Sequence, residues 1–389
     1  MCFTSLEKVR RKYFQLFATT NVICFPLFII LIVVHGSDTW LNYGFPLGSI
    51  TVLLSLLLYV IFWVRKVILQ CRGGFEIEKV EVSENDTFCY LHIKKPKHYK
   101  MIEGQYAFLN CPAVSFWQWH PFSICSSTKN HNITFLIKNN GNFTSELIKL
   151  FKTKSSAITT NLELGETPRD SQLQDSQMPP IKHESKNATE IRYPTINLSY
   201  PISSPAVLSK TRKSVIYIGT GAGIATFLSF IDSQYIDSKQ AEADGVELPD
   251  EPDKHIDIVF ISRELEHLKW IAPYIDGILR FPSMTNKMRF HIYMTLKDRG
   301  QSLPSFLFLR ALTLFNMKRE LVNGKANTLS LNIGRPDFNK LLNNIIKETE
   351  AEERYVYACG PKVMTDAVEK LCLDKTSNQN KIIFNYEIF

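Results

Sequence analysis

Three glycines at alternate positions follow a short apolar run, and their spacing is the first candidate for chemistry. Residues Val215–Ile218 are apolar, Gly219, Gly221 and Gly223 follow, and an apolar helical pattern comes next. A strand that turns through glycines into a helix presents backbone N–H groups and the positive helix end to an anion, usually a pyrophosphate. The pattern G-x-G-x-G departs from the dinucleotide pattern G-x-G-x-x-G, and a purely structural turn also explains it.

A second candidate is the run His120-Pro121-Phe122-Ser123, which follows a tryptophan. It offers a proline-rigidified extended edge, an aromatic face, an imidazole and a hydroxyl. These groups suit a planar heteroaromatic ring that needs hydrogen bonds along one side. By composition alone, a packed loop explains the same run, so both interpretations stay open at this point.

The elements around the second candidate alternate apolar and polar residues with a period of two. Four such runs precede or follow it: FEIEKVEV, TFCYLHIK, QYAFLNC and NITFLIK. This pattern predicts a small antiparallel β-barrel, followed by a helix over Ser145–Lys152.

Beyond the glycines, apolar runs alternate with helical patterns, which predicts a doubly wound parallel sheet with helices on both faces. The predicted strands are Asp257–Ile261, Arg289–Met294 and Arg354–Ala358, and the predicted helices are Ala222–Asp232, Leu265–Arg280 and Pro336–Glu350. The acidic stretch Ser238–Lys254 is predicted to be a surface loop.

Two apolar stretches near the start, residues 14–36 and 45–64, are each long enough to span a bilayer as a helix. Basic residues lie before the first stretch and after the second, whereas the connecting loop Gly36–Gly44 contains neither lysine nor arginine. The positive-inside rule therefore places both ends in the cytoplasm and predicts a multi-pass membrane protein with cytoplasmic domains.

The totals set the domain organisation. At 389 residues the chain is long enough for two or three domains, and its net charge of +7 does not indicate a nucleic-acid partner. Eight cysteines without a C-x-x-C pair argue against a structural zinc and a disulfide scaffold. The predicted domains are a membrane region over 1–70, a barrel over 71–165, a Ser/Thr/Pro-rich disordered insertion over 166–205 and a nucleotide-binding domain over 206–389.

The segment GQY followed by HPFS resembles the FAD-binding segment of the ferric reductase and NADPH oxidase superfamily. This resemblance implies that residues 120–123 line the flavin. The family then spaces Arg, Gly and Thr as R-x-x-G-x-x-T to hold the flavin pyrophosphate, and this chain has Lys138, Gly141 and Thr144. Lysine keeps the charge and loses the bidentate fork of arginine.

The glycine turn is similar to the family's nicotinamide pyrophosphate loop, G-x-G-x-G-[VI]-[TS]-P, with Thr226 where the family has proline. Cys359, Gly360 and Pro361 match the family's C-G-P motif, which lies near the nicotinamide. The resemblance therefore makes Cys359 a candidate catalytic residue, against the alternative of a buried structural cysteine. The terminal Phe389 matches a ring that lies against the flavin and is displaced by nicotinamide.

Two arginines complete the resemblance. Arg263 follows the strand IDIVFIS, and Arg335 lies in a G-R-P match. Both positions contact the 2′-phosphate in the family, so the resemblance implies NADPH; the alternative for each is a solvated surface charge.

In the membrane part the resemblance covers the last two of the family's six helices. His35 corresponds to one of the family's haem-ligating histidines, and Asn21 falls at or beside the position of another. A single candidate metal ligand leaves haem b unassigned, and a second chain would have to complete such a site.

The resemblance implies a membrane-anchored oxidoreductase in which NADPH reduces FAD and electrons continue to an acceptor. An NADPH oxidase that reduces oxygen to superoxide is the favoured interpretation. A ferric- or cupric-chelate reductase shares the architecture. A degenerate, non-catalytic membrane relative also fits the departures at Asn21, Lys138 and Thr226.

Overall fold

The computed structural model describes residues 14–43, 47–71, 74–163, 193–245, 254–281, 284, 287–295, 328–349, 351–377 and 380–388. The chain divides into two compact units, Met1–Gly73 and Gly74–Phe389.

The first unit contains two helices, α1 (Phe14–Tyr43) and α2 (Leu47–Cys71). They contact each other where the Tyr59 hydroxyl donates to the Val22 carbonyl at 2.8 Å. Within the described residues, the stretch Val52–Gln70 is long and apolar enough to cross a membrane, whereas the apolar stretch of α1, Thr19–Ile32, is shorter. The predicted span over 14–36 is therefore matched only in part.

The second unit begins with two antiparallel sheets. The first has the order β1 (Ile77–Val82), β2 (Phe88–Lys94), β5 (Asn132–Lys138). In the second, β3 (Gln105–Asn110) pairs with β4 (His120–Ser123) and with two short strands, β6 (Asn197–Leu198) and β7 (Ile202–Ser203). The four period-two runs thus form β1, β2, β3 and β5, as predicted.

Helix α3 (Asn142–Glu163) closes this part of the unit. Its buried side chains Leu147 and Phe151 pack into the core formed by residues such as Leu91 and Phe135. The predicted helix over Ser145–Lys152 lies within α3.

The predicted boundary of the insertion at residue 205 needs correction. Residues 164–192 lie outside the described part of the chain, but the description resumes at Tyr193. Strands β6 and β7 then pair with β3, and Ile196 bridges to Phe75. The end of the predicted insertion is therefore part of the barrel, and these dipeptide strands are too short to show a period.

The rest of the second unit is a six-stranded parallel sheet with the order β11-β10-β9-β8-β12-β13. Its strands are β8 (Ser214–Thr220), β9 (His255–Ser262), β10 (Met288–Met294), β11 (Leu329–Ile333), β12 (Glu353–Gly360) and β13 (Lys381–Ile388). Val215 and Tyr217 of β8 pack into one hydrophobic cluster and Ile216 and Ile218 into another, so both faces of the sheet are covered, as predicted.

The helices of this sheet are α4 (Ala225–Asp244), α5 (Ala272–Arg280), α6 (Phe338–Glu348) and α7 (Lys362–Lys375). The predicted helix over Leu265–Arg280 is divided into a 3₁₀ turn and α5, because Pro273 occupies the first turn of α5 and lacks an amide hydrogen. Helix α4 continues to Asp244 and ends at Gly245 with φ +64°, so the predicted acidic loop is partly helical.

Candidate functional site

Three of the motifs singled out in the sequence meet at one point of the second unit. The Ser123 hydroxyl of the HPFS run lies 3.2 Å from the Thr226 hydroxyl. The Thr226 hydroxyl in turn donates to the Cys359 sulfur at 3.6 Å. A barrel strand, the helix after the glycine turn and the last residues of β12 are therefore joined by side chains.

The backbone pairing explains this meeting. Strand β4 is antiparallel to β3, with Ser123 opposite Tyr106. Strand β12 lies beside β8, with Cys359 opposite Gly219. Since β8 has β9 on its other side, the strand order reverses direction along the chain at β8, which is where doubly wound sheets bind ligands.

The conformation of the glycine turn requires glycine at two positions. A Cβ on Gly219 would lie 2.8 Å from the Ile224 Cα, and Gly221 adopts φ +53° with open space where a side chain would stand. Gly223 is buried in the 3₁₀ turn that leads into α4. The turn thus requires glycine for close packing at Gly219 and for a left-handed backbone at Gly221.

The HPFS run forms a strand with its polar groups held in place. The His120 ring stacks on Phe143 with centroids 4.1 Å apart, and its Nε2 lies 3.2 Å from the Gln118 Oε1. Burial lowers the pKa of His120, which favours a neutral ring near pH 7. Pro121 is exposed, whereas Phe122 and Ser123 are half-buried. The side chains of this run are therefore partly accessible to solvent.

Lys138 ends β5, and Gly141 and Thr144 lie at the start of α3. The Thr144 hydroxyl accepts from the amides of Asn140 and Gly141 at 3.0 and 3.1 Å. A Cβ on Gly141 would meet nothing within 4 Å. An exposed helix N-terminus beside a lysine suits a pyrophosphate, which is the group that the resemblance assigned here.

Arg263 and Arg335 are both exposed and follow β9 and β11, respectively. Both lie at the carboxyl edge of the sheet, with β10 between their strands. Gly334 adopts φ +101°, and its amide donates to the Met294 carbonyl at 2.9 Å, which fixes the turn that carries Arg335.

Cys359 is 5% exposed, and burial raises the pKa of its thiol to about 12, so the thiol stays protonated. A Cβ on the next residue, Gly360, would meet Met364 at 2.8 Å, and Pro361 caps α7. The ring of Phe389 lies outside the described residues.

Two residues that the sequence argument left without a role belong to this site. Thr226 had been noted only as a departure from a proline, and Glu387 had not been singled out. Glu387 lies opposite Cys359 in the pairing of β12 with β13, and burial raises the pKa of its carboxyl. The signal in the sequence was a hydroxyl and a carboxyl within otherwise apolar segments.

His35 lies in α1 with its side chain exposed. In the part of the chain that the structure describes, no group of three or more His, Cys, Asp or Glu residues could hold a metal ion. The Asn21 amide donates to the Phe17 carbonyl of its own helix at 2.8 Å. Among the described residues of α1 and α2, His35 is the single histidine, and its role as a haem ligand stays a prediction.

Comparison with known proteins assigns the class. Residues 73–206 match the family model of an FAD-binding domain, and residues 212–373 match the ferric reductase NAD binding domain. The chain belongs to the ferric reductase and NADPH oxidase superfamily. The predicted cofactors, FAD and a nicotinamide dinucleotide, are confirmed by these two domains.

Similar curated proteins include a superoxide-generating NADPH oxidase heavy chain of Dictyostelium discoideum, 24% identical over 99% of this chain and 50% of that protein. NADPH oxidase 3 of Rattus norvegicus is 24% identical over 78% of this chain and 47% of its own length. This chain thus spans about half the length of these relatives. A solved ferredoxin NADP+ reductase from Neisseria gonorrhoeae with bound FAD and NADP is 14% identical, covers 80% of this chain and 97% of that chain, and gives a TM-score of 0.46.

Proposed function

We propose that this chain is the NADPH- and FAD-binding part of a membrane-anchored oxidoreductase that passes electrons to oxygen and forms superoxide. The observation that carries the proposal is the contact of Ser123, Thr226 and Cys359, which joins the flavin segment to the nicotinamide segment. A flavin on β4 and a nicotinamide at the end of β12 would meet at this point.

The site residues divide between the two cofactors. His120, Pro121, Phe122 and Ser123 would line the flavin ring, and Lys138, Gly141 and Thr144 would hold its pyrophosphate. The residues for the nicotinamide dinucleotide are Gly219, Gly221, Gly223, Arg263, Arg335, Gly360 and Pro361, with Cys359 and Phe389 beside the reacting rings. FAD supplies the step from two-electron donor to one-electron acceptor when bound.

NADPH is favoured over NADH by charge. Arg263 follows β9, which is the strand next to the glycine-turn strand. An acidic residue at the end of that strand would select NAD, whereas a guanidinium pairs with the 2′-phosphate of NADPH.

Oxygen is favoured as acceptor because the relatives that align over most of this chain are named NADPH oxidases or respiratory burst oxidases.

The membrane anchor would consist of α1 and α2, both crossing the bilayer, with the cofactor domains in the cytoplasm. Support comes from the apolar stretch Val52–Gln70 and from the basic residues that flank the helix pair. No step of the proposal passes through haem, since His35 is the one candidate ligand.

A ferric-chelate reductase is the second candidate, and the match to the ferric reductase NAD binding domain favours it. Membranes containing the full chain, with FAD supplied, separate the two. Superoxide is measured as cytochrome c reduction that superoxide dismutase suppresses, and ferric-chelate reduction is measured in parallel. Gly219→Val, which blocks the glycine turn, is the matched inactive control.

The proposal predicts NADPH-dependent superoxide that is absent in the Gly219→Val chain. Reduction of ferric chelates without superoxide would support the second candidate instead. An FAD-loaded chain that does not oxidise NADPH with either acceptor would contradict both candidates and support a non-catalytic relative.

A further inference from the structure

Thr226 is the residue at which this chain brings a hydroxyl into a position where the family pattern has proline. It lies in the first turn of α4 and is 5% exposed. Its hydroxyl is 3.2 Å from the Ser123 hydroxyl and 3.6 Å from the Cys359 sulfur. A proline could make neither contact.

The proton of the Thr226 hydroxyl determines how its neighbours are oriented. A threonine hydroxyl has one hydrogen to donate and two lone pairs to accept with. The Cys359 sulfur and the Glu387 carboxyl compete for that hydrogen, and with either as acceptor the contact of Thr226 with Ser123 is one in which the Ser123 hydroxyl donates. Thr226 therefore sets the direction of the Ser123 hydroxyl and the environment of the Cys359 thiol together.

Glu387 adds a third group to the same point. The Ser204 and Thr226 hydroxyls interact with its carboxyl. Its Oε1 is buried and has no hydrogen-bond partner among the described residues. Thr226 is thus the centre of a small buried polar group that links β4, β12 and β13.

We propose that Thr226 is a positioning residue for the transfer from NADPH to FAD, acting through Ser123 and Cys359. This role rests on the proposed function. The step concerned breaks a C–H bond of NADPH and passes the hydrogen with its two electrons to FAD, so that NADPH is oxidised and FAD is reduced. Because such transfers depend steeply on the alignment of the reacting atoms, a hydroxyl that fixes two neighbouring groups changes the rate.

The test measures anaerobic flavin reduction by rapid mixing of NADPH with the FAD-loaded, detergent-solubilised full chain. Thr226→Val removes the hydroxyl and keeps the shape, and Thr226→Ser keeps the hydroxyl. At saturating NADPH we expect Thr226→Val to slow reduction about tenfold, as loss of one hydrogen bond in the transition state does. Thr226→Ser should restore the rate to within about twofold of the unmodified chain, a difference of less than about half a kcal/mol.

Thr349→Val is the matched control, because Thr349 is also a buried threonine but donates to the Ile345 carbonyl at the end of α6. Its reduction rate should not change. Fluorescence titration of FAD and equilibrium titration of NADP+ provide readouts that do not depend on turnover. Both dissociation constants should stay within about twofold in the Thr226 variants if the role is positioning rather than binding.

A double-mutant cycle identifies the route of the effect. If Thr226 acts through Ser123, Thr226→Val should slow reduction much less in a Ser123→Ala chain than in the unmodified one, because coupled residues are not additive. Should Thr226→Val fail to fold, Thr226→Ala removes the same hydroxyl with less bulk and carries the same expectation.

An unchanged rate in Thr226→Val would overturn the role of Thr226. So would an equal slowing in the Ser123→Ala background, or a loss confined to FAD affinity. If the unmodified FAD-loaded chain is itself not reduced by NADPH, the proposed function fails, which is a different result from a reduced chain with an inert Thr226.

Discussion

Arg263 offers the sharpest test of the nicotinamide assignment. It is exposed and is the first residue after β9, one strand from the glycine turn at the end of β8. Arg335 follows β11, which lies three strands from β8, or roughly 14 Å at about 4.8 Å per strand. The two arginines are thus about two strands apart, so a phosphate lying between them could contact both. Arg263, closer to the turn, should contribute more.

The expected magnitude follows from the type of contact. A hydrogen bond to a charged group contributes about 1.5–3 kcal/mol, or roughly 10- to 150-fold. Because Arg263 is exposed, solvent and salt screen its interaction with the phosphate and reduce this contribution. We therefore expect Arg263→Ala to lower kcat/KM for NADPH by about 10- to 30-fold. NADH lacks the 2′-phosphate, so its kcat/KM should change less than about twofold. Arg335→Ala should have the same selectivity with a smaller effect.

The assay compares kcat/KM for NADPH and NADH at low and at raised salt, since screening should narrow the NADPH preference. Arg280→Ala is the control, because Arg280 is also exposed and pairs with Asp276 of its own helix at 3.0 Å. An equal loss for both nucleotides in Arg263→Ala would refute the 2′-phosphate assignment. An unchanged NADPH preference would refute it too.

Three further predictions concern the turn, the flavin site and the pH dependence of stability. Gly219→Ala should weaken NADPH binding at least tenfold while FAD binding stays intact, because the new Cβ would lie 2.8 Å from the Ile224 Cα. Separate titrations of the two cofactors check this, and equal losses of affinity for both would contradict it. Lys138→Arg should tighten FAD binding, because a guanidinium can pair with a phosphate through two hydrogen bonds, whereas Lys138→Ala should weaken it about tenfold in a fluorescence titration. Equal FAD affinities in the unmodified chain and both variants would contradict the assignment of Lys138 to the flavin pyrophosphate. Glu103 lies 2.8 Å from the Lys210 ammonium, and this contact with other hydrogen bonds lowers the pKa of its buried carboxyl from an ordinary value of 4.5 to about 2. A carboxyl whose pKa is lower in the folded than in the unfolded state stabilises the fold at pH values above the unfolded-state pKa, so about 3 kcal/mol of unfolding free energy should be lost as pH falls from about 4.5 to about 2. In urea unfolding, Glu103→Gln should show a smaller pH dependence of the unfolding free energy over that window. An identical pH dependence would contradict the role assigned to the Glu103 carboxylate.

The sequence predicted the elements whose residues carry a clear period. Val215–Ile218 alternates between two clusters on opposite faces of the sheet, and the four period-two runs form barrel strands. Strands β6 and β7 could not be predicted, because two residues show no period and their pairing with β3 is made across the chain. The division of the predicted helix at Pro273 was not predicted, because the effect of a proline depends on whether it lies in the first turn of a helix or in its interior.

The candidate site shows the same limit. Each motif was found from local spacing, but the contact of Ser123 with Thr226 joins residues 103 positions apart, and that of Thr226 with Cys359 joins residues 133 apart. Only the folded chain brings them together. Thr226 was visible in the sequence merely as a missing proline, and Glu387 gained a role from its place opposite Cys359 in β13.

The most direct test of the central claim is the absorbance spectrum of the purified, detergent-solubilised chain after incubation with FAD. The spectrum is recorded anaerobically before and after NADPH is added. We predict a flavin band that remains after removal of free FAD and bleaches with NADPH. A chain that retains no flavin, or whose bound flavin NADPH does not bleach, would contradict the account.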